Sequence, residues 1–389
     1  MKVLIFLTQF YQLGGAELSV VELAEELNKR RIHADILSMY TEALPGVTQA
    51  KAALLQKGIP TVHFLGMRIH PSIASMVKAI MKLRRLIREN EYDIIETSMV
   101  FPTVLAAWAT RGMRVQHVAG LRSIVDRDRH NKYVHEFRRF SVRCSRRIRY
   151  YAISESAASH WITFSKTSPQ HTRIIYNSIP DVFFSVTPDR EGVRKELGMP
   201  KVARLVIYVG RCAAFKGIDT LLDALGPVLE QYNMYLLYVG LPDLSVPGTK
   251  EMLQKMEMWI TQENWSERVR FLGHRKDVPR LLAASDLLVH PTRTEAFGRV
   301  LAEAISAGLP VVASNVDGIP EVLAGTDSLM VPPDDPNALR EAVLKTLNRT
   351  PEEATRAVEK GRKRAEAFRI DKRTDAMIRL FEDVLAGRF

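Results

Sequence analysis

The sequence predicts an α/β protein made of two doubly wound, largely parallel sheets, and three observations carry that expectation. Short apolar runs of strand length alternate with helix-period segments along the chain. A single turn-rich stretch, residues 177–188, separates a first series of such units from a second. The composition, 46% hydrophobic and 25% charged over 389 residues, is ordinary for a globular protein and excludes disordered or collagen-like architectures. At roughly 100–200 residues per domain this length suggests two or three domains, and the two series of units meet near residue 185.

The first element is an expected strand over residues 3–7. The opening Met-Lys-Val-Leu-Ile-Phe-Leu resembles a signal peptide, but its apolar run stops at Thr8-Gln9, short of the usual 7–15 residues, roughly, and no small-residue cleavage site follows. Residues 15–30 read as a helix, with Val20, Leu23, Ala24 and Leu27 at three- and four-residue spacing. Further strands are expected at 34–39, 61–64, 93–97, 115–119 and 149–153, with helices near 47–57, 72–89, 101–110 and 131–147. The second series places strands at 205–209, 234–239, 269–272, 287–290, 311–314 and 328–331, with helices between them that include 217–230 and 300–307. Residues 351–389 are helical and charged without strand patterning. No apolar stretch approaches the ~20 residues of a transmembrane helix. Two cysteines, Cys144 and Cys212, are too few for a disulfide framework and lack metal-ligand spacing. The expectation is therefore a cytoplasmic protein, attached to a membrane, if at all, from one side.

The net charge is +11, and residues 68–149 alone carry 18 Lys/Arg against 7 Asp/Glu. That segment holds the whole excess, which implies an anionic partner: phosphate, nucleic acid or anionic lipid. Within it, residues 131–149 read as a basic amphipathic helix, with Val134, Phe137 and Val142 among Arg138, Arg139, Arg143, Arg146, Arg147 and Arg149. Such a stretch suits an anionic membrane surface or a lipid diphosphate. Aromatic residues are sparse around these arginines, which disfavours nucleic acid as the partner.

Three constellations carry chemistry, each at the expected carboxyl end of a strand, where doubly wound sheets bind ligands. Thr294-Glu295-Ala296-Phe297-Gly298-Arg299-Val300 leads into a helix that contains Glu303. The open amides of that helix start form an anion site, and the two carboxylates are suited to accept hydrogen bonds from ligand hydroxyls. In Gly210-Arg211-Cys212-Ala213-Ala214-Phe215-Lys216-Gly217, Arg211 ends a strand and Lys216 sits at the next helix start, where a cation opposes the helix dipole unless it reaches over an anion. Gly14-Gly15, between the first strand and helix, lets backbone approach a ligand. There is no G-x-G-x-x-G fingerprint, so a dehydrogenase is disfavoured. No metal site is evident.

On these residues the chain resembles the retaining glycosyltransferases of the GT-B fold, family 4. Glu295-Ala-Phe-Gly with Glu303 matches the family's E-x7-E element, and Ala307-Gly308-Leu309-Pro310-Val311-Val312 and Gly318-Ile319-Pro320-Glu321 match the segments after it. The resemblance implies two Rossmann-like domains facing across a cleft: an acceptor-binding domain (1–184), a nucleotide-sugar-binding domain (185–370) and a last helix (371–389) that crosses back onto the first. It implies that Arg211 and Lys216 hold the nucleotide diphosphate, Glu303 the ribose hydroxyls and Glu295 the transferred sugar. Phe297, Gly298, Arg299 and Val300 would lie beside the donor, as would His274 and Arg275 and, from the first domain, Gly14, Gly15 and Asn177. Many relatives carry a histidine after the fifth strand. Here the aligned position is Arg122, with His117 five residues earlier, and either faces the sugar. The implied catalytic group is Arg211, Lys216, Glu295 and Arg122, with no metal and no cofactor beyond the UDP- or GDP-sugar. The implied acceptor is a glycan or lipid-linked molecule of cell-surface polysaccharide, lipopolysaccharide or glycolipid synthesis. A nucleotide-sugar epimerase or hydrolase on the same fold, or a non-catalytic anion or nucleic-acid binder, are the competing readings.

Overall fold

The computed structural model describes residues 1–389 except 10–13, 45, 69–71, 125–147, 245 and 263–264. Of the expected basic amphipathic helix over 131–149, residues 131–147, with Cys144, lie outside the described residues, whereas Ile148 and Arg149 belong to a strand, Ile148–Ala152, paired with the one before it. The chain divides into two units, Met1–Ser178 with Ile370–Phe389, and Ile179–Arg369. The break falls a few residues before 185 because the Ile179 amide donates to the Phe368 carbonyl at 2.9 Å and Ile179 bridges Arg369, which ties this segment into the second unit.

Unit 1 carries a seven-stranded parallel sheet in the order β3-β2-β1-β4-β5-β6-β7. In chain order its described elements are β1 (Lys2–Leu7), α1 (Gly15–Lys29), β2 (His33–Tyr40), α2 (Val47–Gln56), β3 (Val62–Met67) and α3 (Ile73–Glu89). Next come β4 (Ile94–Ser98), α4 (Val100–Ala109), β5 (Gln116–Leu121), β6 (Ile148–Ala152), α5 (Glu155–Ser165) and β7 (Thr172–Ile174). β1 is covered on both faces, which is why it reads as an unbroken apolar run. Val3 and Ile5 pack with α1 residues Val20, Leu23 and Leu27, whereas Leu4 and Phe6 pack with Leu83 and Ile87 of α3. The final helix, which we number α15 (Ile370–Leu385), completes the first of these cores with Met377, Leu380, Phe381 and Val384.

Unit 2 holds a six-stranded parallel sheet, β10-β9-β8-β11-β12-β13. Its strands are β8 (Arg204–Val209), β9 (Met234–Val239), β10 (Val269–Phe271), β11 (Leu287–His290), β12 (Val311–Ser314) and β13 (Leu329–Val331). Of its helices, α8 (Ile218–Leu225) follows β8, α11 (Arg299–Ser306) follows β11, and α13 (Pro336–Leu347) packs over β11 to β13. The strand order reverses between β8 and β11, so the carboxyl ends of these two neighbours form the switch point at which such sheets bind ligands.

Candidate active site

Both strands of the unit 2 switch point end in turns locked together. β8 runs out through Gly210 and Arg211 to a short turn at Ala214–Lys216, and Gly217 adopts φ +65° at the start of α8. A Cβ on Gly217 would sit 1.9 Å from the Pro291 carbonyl oxygen, so glycine is what lets this turn rest on the residue after β11. Arg293 then clamps the two turns. Its amide donates to the Phe215 carbonyl at 2.8 Å, and its guanidinium reaches the Ala214 carbonyl, Asp219 at 2.8 Å and Asp334 at 2.7 Å. Thr292 adds a hydroxyl bond to the same Phe215 carbonyl at 3.2 Å.

That clamp brings Lys216 to Glu295 across 79 residues of sequence, with Nζ 2.5 Å from Oε2. The same oxygen lies 3.3 Å from Nε2 of His290, the last residue of β11. A carboxylate only accepts, so the imidazole carries its proton on Nε2. His290 is buried and stacks against Tyr208, with ring centres 6.1 Å apart, and burial lowers its pKa. Burial pushes the Glu295 carboxyl up, but the Lys216 charge and the hydrogen bonds from His290 and Lys216 outweigh it and hold the group well below the usual carboxylate range. Behind it, Asp317 accepts from the Glu295 amide at 2.9 Å and from the Thr294 hydroxyl at 2.7 Å, which fixes the loop from the other side.

Gly298 stands at the start of α11 in the left-handed region, φ +79°, and no side chain caps the helix. The Leu301 amide turns back to the Gly298 carbonyl at 2.9 Å, and the positive end of the helix dipole lies three residues after Glu295, where it favours an anion. One turn further on, Arg299 Nε donates to Glu303 Oε1 at 2.9 Å, both side chains being largely buried. The Phe297 side chain points into the core against Phe368, with ring centres 5.3 Å apart, so only its backbone borders the site. Val300 is half-buried in the first turn of α11.

Other expected site residues are placed differently. Arg211 is half-exposed and donates to Asp243 rather than standing free. His274 is exposed in the turn after β10, where the preceding Gly273 carbonyl accepts from the Gly240 amide at 2.9 Å. Arg275 is likewise engaged: its guanidinium is held by Asp277 at 2.8 Å and Glu196 at 2.7 Å, in a cluster shared with Arg280.

Unit 1 corrects the expectation about Arg122 more strongly. Its side chain is fully buried, and it donates to the Ser98 hydroxyl at 2.9 Å, the Ser19 hydroxyl at 2.8 Å, Asn177 Oδ1 at 3.0 Å and the Tyr151 hydroxyl. The physical reason is Glu96, an equally buried carboxylate on β4 that accepts from Tyr151 at 2.6 Å and needs a counter-charge. Arg122 therefore holds the core of unit 1 together instead of facing a sugar, and Asn177 Oδ1 is one of its acceptors. His117 does not replace it. Buried in β5, it bonds Thr97 at 2.9 Å, and desolvation lowers its pKa to about 3, so it is neutral. Gly14 and Gly15 begin α1 without positive φ, Gly14 being its extended N-cap, so the backbone there does not itself demand glycine. Leu7, Thr8, Ala16, Glu17, Ser98 and Met99 line a small crevice beside them, at the carboxyl ends of β1 and β4.

Sequence reasoning placed Thr292 and Arg293 in the pocket that selects the donor but missed His290 and Asp317. The one available signal was His290 itself, a polar residue closing an otherwise apolar strand.

The model for "Glycosyltransferase Family 4" matches residues 13–182, and that for "Glycosyl transferases group 1" matches residues 189–364. The chain spans about half the length of several curated relatives it matches. One is the lipopolysaccharide glucosyltransferase WaaG of Escherichia coli K12, 32% identical over 193 residues, which are 48% of this chain and 49% of that one. The N-acetyl-alpha-D-glucosaminyl L-malate synthase of Bacillus anthracis aligns more fully, at 24% identity over 84% of this chain and 83% of that one. Among solved structures, Anabaena Alr3699/HepE, crystallised in complex with UDP and with UDP-glucose, superposes with a TM-score of 0.83 at 24% identity, over 98% of this chain and 100% of that one. That likeness establishes the same fold. With two parallel sheets of the GT-B type and both family models matched along its length, the chain belongs to the family 4, group 1 glycosyltransferases.

Proposed function

We propose that the protein is a retaining, metal-independent glycosyltransferase that moves a sugar from a nucleoside-diphosphate sugar to a glycan or lipid-linked acceptor in cell-surface polysaccharide or glycolipid synthesis, working at the cytoplasmic face of a membrane. The observation that carries this reading is the 2.5 Å contact between Lys216 and Glu295 at the sheet's switch point, directly beside the uncapped start of α11. A cation and open amides suit a diphosphate, and the adjoining carboxylate suits sugar hydroxyls. Arg211, Glu303, Phe297 and Gly298 extend the same surface toward the nucleotide.

Departure of the nucleoside diphosphate leaves positive charge on the anomeric carbon and adds negative charge to the leaving phosphate. Lys216, Arg211 and the α11 amides stabilise that phosphate more as its charge grows, which is catalysis by preorganised electrostatics. Glu295, held ionised by Lys216 and His290, sits on the side where the sugar becomes cationic. Among the described residues of unit 2 at this point, the carboxylate is the one group of nucleophilic type, and it is engaged by two donors. The reading is therefore front-face transfer, with the leaving phosphate accepting the acceptor's proton and the anomeric configuration kept.

The test is a thermal-shift screen over nucleoside diphosphates and their sugars, UDP first because HepE was crystallised with it. NMR of the product's anomeric configuration follows. A stabilising diphosphate and a glycoside of retained configuration are expected. Free sugar or an isomerised donor would mean a hydrolase or epimerase instead.

A further inference from the structure

We infer that the outward face of α3 in unit 1 is a membrane-docking surface for anionic lipid. α3 is amphipathic in the usual direction, with Ala79, Leu83 and Ile87 buried in the core beneath the sheet. A second face, about 120° round the helix from these residues, departs from the usual pattern. Ile73, Val77 and Met81 recur there every four residues and are 76%, 50% and 65% exposed. At this spacing they form one continuous apolar stripe over the first two turns, on a helix that the Ser72 hydroxyl caps by accepting from the Ser75 amide at 3.2 Å. An isolated exposed leucine needs no explanation, but a stripe of three large apolar residues does.

The charges around the stripe choose its occupant. Lys78, Lys82, Arg85 and Arg88 are exposed on the same helix, and Glu89 is the one acid among them, paired with Arg85 at 2.9 Å. The end of α4 extends the basic field, because Arg84 donates to the Ala109 and Arg111 carbonyls at 2.6 and 2.8 Å and so fixes the exposed Arg111 next to α3. An apolar stripe bordered by lysine and arginine is the pattern of a helix lying in a headgroup layer: the stripe enters the acyl boundary and the cations meet lipid phosphates. A second copy of the chain fits worse, since self-pairing would bring these cations against each other around the stripe. Nucleic acid would use the cations and leave the stripe in water.

This inference rests on the membrane part of the proposed function and assigns it to a surface. Its test is flotation of the full chain with vesicles of neutral phosphatidylcholine and with vesicles that also contain 30 mol% phosphatidylglycerol, as about fivefold in affinity is expected per cation reaching an anionic leaflet. Binding at least tenfold tighter to the anionic vesicles is expected, weakening at high salt. Val77→Asp with Met81→Asp, both exposed positions, should weaken it at least tenfold at an unchanged melting temperature, and Lys78→Glu with Lys82→Glu should do the same. Stabilisation by UDP, measured in parallel, keeps the two readings apart. If the UDP shift persists without vesicle binding, the docking surface is wrong and the donor site stands. If vesicle binding persists without a UDP shift, the surface stands and the donor reading fails. Equal vesicle binding by wild type and the Val77/Met81 variant overturns the inference, as does a concentration-dependent dimer that the same variant abolishes.

Discussion

The guanidinium carbon of Arg122 lies 5.3 Å from the centre of the Tyr151 ring while its Nη2 donates to the Tyr151 hydroxyl, so one side chain holds the other twice. Tyr151 passes the contact on to Glu96, and the three close a buried charged network among β4, β5 and β6. An arginine placed this way serves stability. Arg122→Met strands the Glu96 charge, which costs about 3–5 kcal/mol. For a unit this size that lowers the melting temperature by roughly 6–20 °C. Adding Glu96→Gln should recover a large part of the loss by removing the stranded charge. Scanning calorimetry of the single and double variants decides it. An unchanged melting temperature with slowed transfer would return Arg122 to the sugar.

Lys216→Ala takes away the cation that faces the proposed diphosphate, and loss of one such preorganised donor lowers turnover by about 10²–10³. It also frees Glu295 from its principal counter-charge, so its carboxyl should rise back toward ordinary values. Glu295→Gln keeps the shape and removes the charge. A comparable loss in kcat, with stabilisation by nucleoside diphosphate intact, is expected, because that carboxylate is read as facing the sugar and not the phosphates. Steady-state kinetics beside thermal shifts with UDP separate the two roles. Less than a tenfold loss for Lys216→Ala would remove the lysine from catalysis.

The parallel sheets were readable in the sequence because their central strands are covered on both faces. Strands such as β1 and β9 therefore appear as unbroken apolar runs. β7 was not expected, since three half-exposed residues at a sheet edge leave no such run. The placement of Lys216 and Glu295 at strand ends was readable from their glycine-marked turns. Arg122 was misplaced for a physical reason. Its position after β5 is visible in the spacing, but its direction is set by Glu96, Tyr151, Ser19 and Asn177, which come from four other segments of chain. His290 was hidden in the opposite way, as the last residue of a buried strand whose partner is decided by the loop that follows.

His117 gives unit 1 a pH dependence with a definite sign. In the unfolded chain an imidazole titrates near 6.5, whereas burial lowers the folded value to about 3. Between these limits the unfolded state binds more protons, so stability is complete above pH 6.5 and falls on acidification toward 3. The slope from one such group is about 1.4 kcal/mol per pH unit. His117→Gln keeps a side chain able to reach Thr97 and removes the titration. Urea unfolding from pH 7 to 5 should therefore be less pH-dependent for the variant, by about 1 kcal/mol per unit averaged over that range, since the unfolded imidazole is only partly protonated near pH 6.5. Equal slopes would mean that His117 is hydrated in the folded state.

Gly217→Ala tests the closeness of the two site turns. At φ +65° an alanine is strained, and its methyl would fall 1.9 Å from the Pro291 carbonyl, a backbone atom that gives way only if the turn lifts off β11. The turn carries Lys216 with it, so the 2.5 Å contact to Glu295 opens. A stability loss of about 2–4 kcal/mol is expected, together with loss of nucleotide-induced stabilisation. An alanine variant that retains full response to UDP would show that the turn need not touch Pro291.

The last helix makes a separate prediction about which parts of the chain unfold together. α15 follows unit 2 in sequence, yet Phe381, Leu380 and Met377 are fully buried in the core of unit 1 beside Val20, Leu23 and Leu27 of α1. Arg373 fastens its first turn by donating to the Ser19 carbonyl at 2.6 Å, within the same α1. Phe381→Ala leaves a cavity under α1 and costs about 3–5 kcal/mol. If α15 is part of the cooperative unit, that loss is shared: amides of α1, β1 and α15 exchange faster together, while those of β8 and β11 stay protected. Hydrogen exchange read by mass spectrometry resolves these segments. Faster exchange confined to α15 would mean that the helix is an appendage, and that unit 1 holds its core without it.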